Sequence, residues 1–161
     1  MNKNQNQIAL ELKLVAIFIA LLGLIFFGGF TAYAYIYRPD YNLPLAEYIR
    51  SNIVYIWLTA FICYTILFFF WRIVNEIGKD NSFSIENEKN FKYMSYCCLL
   101  VIVENVIRLA IWTVKGNVDL IAVSYTVLKM IVFAVITVFC IALSKLVRNA
   151  YEIKLENELT I

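Results

Sequence analysis

Residues 14–37 read LVAIFIALLGLIFFGGFTAYAYIY, twenty-four positions without a charge. About 20 mostly apolar residues are enough for a helix to cross a bilayer. Three further runs meet the same standard. Residues 51–71 are uncharged apart from the arginine that follows, 93–114 are interrupted by Glu104, Asn105 and Arg108, and 120–143 carry one charge, Lys129. The connections at 38–50, 72–92 and 115–119 are polar by comparison, with a tail at 144–161. The sequence therefore predicts an all-α protein: a four-transmembrane-helix bundle with a helical loop at 72–92 and a helical C-terminal tail.

Composition agrees. The 161 residues are 62% apolar and 16% charged, with a mean hydropathy of +0.73. Soluble domains are about 45–50% apolar and roughly 25% charged. The excess needs lipid as solvent. The net charge of +2 is spread along the chain, so direct nucleic-acid binding is not expected. The sequence contains no histidine, and its cysteines (Cys63, Cys97, Cys98 and Cys140) all lie in apolar runs without CxxC spacing. These are expected to be packed thiols, with no disulfide, metal site or cofactor. No nucleophile–base pair, phosphate loop or paired-carboxylate arrangement points to an enzyme.

The first run is read as a span and not as a cleaved leader. Ala32-Tyr33-Ala34 imitates a cleavage site, but the run far exceeds the about 7–15 residues of a leader's apolar region. Orientation follows from lysine and arginine. Lys3, Lys13, Arg72, Lys79, Lys89, Lys92, Lys145, Arg148 and Lys154 fall on one side, against Arg38, Arg50 and Lys115 on the other. Nine against three predicts a multi-pass cell-membrane protein with both termini and the 72–92 connection in the cytoplasm.

Three spans carry a face of small or polar residues at helical spacing. On the first these are Ala16, Ala20, Gly23, Thr31 and Ala34. The second has Asn52, Tyr55, Thr59 and Cys63. The fourth has Ala122, Thr126, Lys129, Thr137, Cys140 and Ser144, with Phe133 the bulky exception.

In the 72–92 connection, Gly78, Asp80 and Asn81 mark a break, and Ser84 followed by Glu86 marks the start of a helix that runs into the third span. The tail offers i,i+4 pairs Arg148–Glu152 and Lys154–Glu158. Acidic and basic residues balance in both segments, so neither is a polybasic lipid clamp.

The stretch GKDNSFSIENEKNFKYMSYCCLL and the ending ALSKLVRNAYEIKLENELTI resemble the domain of unknown function 2975 family, small four-span bacterial membrane proteins. The family often has proline before the phenylalanine, where this chain has Ser82. The resemblance brings no activity and no site residues. Family members are commonly encoded beside a small helix-turn-helix regulator, which implies a regulatory pairing.

Charges inside a membrane mark candidate sites. Glu104 and Arg108 are one turn apart. Glu104 lies ten residues from the end of its span and Lys129 nine from the start of the next, so their depths nearly match. Glu104 is thus expected beside Arg108, Lys129 or both, as a structural or ligand-binding charge cluster. Phe83, Ile85, Leu155 and Leu159 are candidate docking residues for a soluble protein. Two functions are carried forward: a regulatory or sensory membrane partner of a cytoplasmic DNA-binding regulator, and a small oligomeric transporter or channel built on the charge cluster.

Overall fold

A computed structural model describes residues 3–36, 44–116 and 120–159, the side chains of Lys3, Pro44, Ile121 and Leu159 excepted. Tyr37, Arg38 and Asn42 lie outside the described residues. Five helices account for nearly all of them: α1 (Lys3–Ile36), α2 (Pro44–Ser51), α3 (Ile53–Gly78), α4 (Ile85–Lys115) and α5 (Leu120–Leu159). Among the described residues there is no strand. The four longer helices are each long and apolar enough to cross a membrane.

The helices outrun the apolar segments. α1 runs unbroken from residue 3 into the apolar segment, because Gln5 to Lys13 holds no glycine or proline and is rich in good helix formers. α3 continues beyond Trp71, burying Ile73 and Val74, and ends at Gly78. A Cβ on Gly78 would come within 3.2 Å of the Ala9 side chain, so glycine is what lets α1 and α3 approach there.

The 79–84 turn is tied down on several sides. Asp80 takes a left-handed φ of 63°. Glu76 accepts bonds from Lys79 at 2.7 Å and from the Asn81 amide at 3.0 Å. Ser84 caps α4, its hydroxyl accepting from the Asn87 backbone N–H at 3.2 Å, with Glu86 and Glu88 in the first turn. Ser82 donates to Gln5 of α1 at 3.3 Å, a tie that proline could not make. α4 closes at Gly116, whose φ of 68° suits a residue without a Cβ.

Each long helix packs on its neighbour in the chain: α1 on α3, α3 on α4 and α4 on α5, with α2 resting mainly on α1. Among the described residues α1 and α5 share no extensive packing, so the four rods form an open row. The small-residue faces point inward. Ala16 and Ala34 on α1 are buried, as are Thr126, Thr137, Cys140 and Ser144 on α5. α4, in the middle of the row, buries two flanks, including Cys98, Val101, Glu104, Asn105 and Arg108. Large apolar residues such as Phe18, Ile25, Phe61 and Phe139 stand exposed on the outer faces. That distribution suits lipid, which solvates apolar side chains and leaves helix association to packing and hydrogen bonds.

Read as a plain connection in the sequence, 38–50 contains all of α2 except Ser51, which the sequence reading puts at the start of the second span. PLAEYIRS buries Ala46 and Ile49 and is anchored by Arg50 Nε, which donates to the Ala34 carbonyl at 2.7 Å.

Candidate functional site

Three helices meet at Thr59 of α3, Glu104 of α4 and Lys129 of α5. The Thr59 hydroxyl donates to Glu104 Oε2 at 3.0 Å and accepts from Lys129 Nζ at 3.4 Å. Thr59 and Glu104 are 7% exposed, while Lys129 is half-buried. Among the described residues no cation lies within ion-pair distance of Glu104. The charges at matching depth therefore communicate through a threonine hydroxyl instead of touching. Thr59 was visible only as one member of a polar stripe. Its depth, eight positions in from Ser51, matches that of both charges and was the available signal.

Arg108 turns away from Glu104. Its guanidinium donates to the Tyr48 hydroxyl of α2 and lies 4.4 Å from the Trp112 ring centroid, 5.5 Å from that of Tyr48 and 5.7 Å from that of Tyr55. Arginine over aromatic faces is favourable, more so when desolvated. The expected triad is thus two arrangements: a Glu104–Thr59–Lys129 chain and an arginine held among rings that fastens α2 to the bundle. Glu104 Oε1, Asn105 Oδ1 and Arg108 Nε are buried with no hydrogen-bond partner among the described residues. Most buried polar groups are satisfied, so these three stand out.

At the end of the bundle that carries both termini, a groove of about 530 Å³ runs between the 79–84 turn and α5. It is lined by Phe83, Ala150, Ile153, Lys154, Asn157 and Glu158. Phe83 is 49% exposed and Ile153 59%. Of the four docking candidates, Phe83 lines the groove, and Ile85 is exposed at the first position of α4. Leu155 is exposed but outside the lining; two positions from Ile153, it falls on another side of the helix. The Leu159 side chain lies outside the described residues. Ile153 is the groove residue that the docking set missed; by its spacing it shares one side of α5 with Ala150, which also lines the groove. Arg148 pairs with Glu152 at 2.9 Å and reaches Glu88 of α4 at 3.9 Å, and Ser144 donates to the Glu88 carbonyl at 3.1 Å. These contacts hold the tail against the start of α4.

A second, apolar cleft of about 810 Å³ opens between α1 and α5, floored by α3 and α4. Phe26, Cys63, Phe70, Cys98, Phe133 and Ile136 are among its walls. Tyr64 donates to the Ala20 carbonyl at 2.8 Å beside it, in the space left by Gly23, whose added Cβ would lie 3.0 Å from that hydroxyl. All four cysteines are free thiols. Among the described residues no group of three His, Cys, Asp or Glu side chains is placed to hold a metal.

Comparison with known proteins agrees with this architecture. The chain is 27% identical over 121 residues to the uncharacterized membrane protein YoaS of Bacillus subtilis (strain 168), covering 73% of this chain and 76% of that protein. No solved structure matches it. The model for the family described as "Protein of unknown function (DUF2975)" matches residues 12–161, and the chain belongs to that family.

Proposed function

We propose that the protein is a non-enzymatic regulatory membrane partner, with both termini in the cytoplasm, that holds a small soluble helix-turn-helix regulator in the groove between Phe83 and the α5 tail. The groove carries the reading. It sets an exposed aromatic ring opposite Ile153, and an amphipathic helix laid into such a cleft would be anchored by a few buried apolar contacts. Lys154 and Glu158 on its rim supply both signs of charge for register.

The test is retention of a small soluble helix-turn-helix regulator, of the kind the family resemblance implies, on the detergent-extracted, full-length protein. Intact protein should retain it. Truncation after Ala150, and separately Ile153→Glu, should weaken retention at least tenfold, the range of interface anchors. Failure of the intact protein to retain it overturns the reading.

A second reading, a small oligomeric transporter or channel, draws on the buried, unpartnered Glu104 Oε1. It expects the opposite pattern: truncation after Ala150 leaves a solute flux in vesicles intact, while Glu104→Gln abolishes it.

Orientation is tested separately by membrane-impermeant thiol labelling of intact cells. Cysteine introduced at Asn42 should label at once, and cysteine introduced at Asn157 only after lysis. The reverse pattern would invert the topology and move the groove outside the cell.

A further inference from the structure

We propose that the faces of α3 and α4 turned away from the apolar cleft form a binding site for an anionic phospholipid, with Arg72, Lys89 and Lys92 receiving its phosphate. The site needs this end of the bundle to lie at headgroup level, on either side of the membrane, and it stands apart from the docking groove.

Phe69 and Tyr93 set the two helices in register, their ring centroids 5.2 Å apart. Arg72 is one turn from Phe69, Lys92 is next to Tyr93 and Lys89 is one turn from it, all toward the end that carries both termini. On α3, Phe61, Phe68 and Arg72 recur at helical spacing and are exposed. Leu99, Tyr96, Lys92 and Lys89 do the same on α4. Phe68 stands two positions from Phe70, and Tyr96 two from both Met94 and Cys98. Each is thus about 200° round its helix from residues that line the cleft. Both strips therefore lie on the opposite side of the row. Each passes from apolar side chains to cations at one level, as a phospholipid passes from acyl chain to phosphate.

Charge selects the head group. Counted along 72–92, acidic and basic residues balance, but the helices sort them by depth. Arg72 lies nearer the apolar segment than Glu76 on α3, and Lys92 and Lys89 nearer than Glu88 on α4. Glu76 accepts from Lys79 and Asn81, and Glu88 faces Arg148 at 3.9 Å. Arg72, Lys89 and Lys92 are exposed and make no ion pair among the described residues. Each lysine or arginine near an anionic lipid surface contributes about fivefold in affinity. A zwitterionic lipid brings its own ammonium to the same three cations and gains less. Tyr93 and Tyr96, both about half exposed, suit the boundary between headgroup and hydrocarbon.

The probe is a photoreactive phosphatidylglycerol with a diazirine on one acyl chain, at low mole fraction in phosphatidylcholine nanodiscs holding the full-length protein. Cross-links should saturate and should fall on the peptides containing 61–68 and 96–99. Unlabelled phosphatidylglycerol should displace the probe at least tenfold better than phosphatidylethanolamine, and soluble glycerol 3-phosphate should not displace it. Arg72→Gln, Lys89→Gln and Lys92→Gln combined should weaken binding at least tenfold. Lys79→Gln with Lys154→Gln, two lysines already paired with glutamates, should leave it unchanged. The competition series needs no variant and so decides even if the triple variant fails to fold. Equal displacement by phosphatidylethanolamine, or labelling that does not saturate, would show simple partitioning and overturn the proposal. Displacement by glycerol 3-phosphate would mark a site for soluble anions and overturn it too. So would unchanged affinity in the triple variant, or an equal loss in the paired-lysine control.

Discussion

Thr59→Val should destabilise the folded protein by about 2 kcal/mol, a size set by the charge at the other end of its hydrogen bond. Neutral hydrogen bonds between membrane helices average only about 0.6 kcal/mol, because the separated helices find other partners. A bond to a charged group is worth about 1.5–3 kcal/mol, and here the acceptor is Glu104, whose other oxygen is already unpartnered. Valine keeps the shape and leaves a buried carboxylate with neither oxygen bonded. Thr59→Ser, which keeps the hydroxyl, should recover most of the loss. The measurement is reversible unfolding in mixed micelles, with Thr65→Val as control, since among the described residues the Thr65 hydroxyl bonds only the Phe61 carbonyl of its own helix. A Thr59→Val cost no larger than the control's would show that the three-helix chain contributes nothing. Because Glu104 and Lys129 act through Thr59, the exchange Glu104→Lys with Lys129→Glu should restore part of what either single change loses.

Arg108→Leu should free α2. The guanidinium faces three rings and the Tyr48 hydroxyl, and desolvated cation–π contacts contribute about 2 kcal/mol or more. Leucine retains the volume and loses both interactions. Amide hydrogen exchange across 44–51 should then accelerate at least tenfold, while exchange in the middle of α4 stays slow. Arg108→Lys should rescue little, because a compact ammonium cannot lie flat on several rings. Unchanged exchange in α2 would mean that the Arg50–Ala34 bond and the burial of Ala46 and Ile49 suffice to hold it.

The four spans were legible because hydropathy over about 20 residues is a property of the segment and needs no knowledge of neighbours. The inward faces of α1, α3 and α5 were legible for a related reason: small and polar residues recur at helical spacing, and lipid offers polar groups no alternative partner. Two things escaped. α2 is eight residues long, and eight residues with charges at Glu47 and Arg50 carry no hydropathy signal; its anchors lie far along the chain, Arg50 bonding the Ala34 carbonyl and Tyr48 bonding Arg108 sixty positions away. Likewise the Glu104–Lys129 depth match compared only consecutive spans, although the residue between them comes from α3. Arg108 one turn from Glu104 suggested a pair, yet three rings outweighed it, and ring positions depend on tertiary packing that spacing along one helix does not reveal.

The continuity of α5 has a mechanical consequence. At about 1.5 Å per residue, its 40 residues form a rod about 60 Å long, twice the roughly 30 Å of a bilayer's hydrocarbon core. It contains no glycine or proline, so it has no ready hinge between Lys129 and Ile153. A helix of this kind acts as a lever arm. A small tilt where α5 meets Thr59 would swing its far end the opposite way, through a smaller arc, about the fulcrum that Arg148 and Ser144 form by clasping Glu88 of α4. Whatever rests against Phe83 and Ile153 would feel the membrane interior as motion.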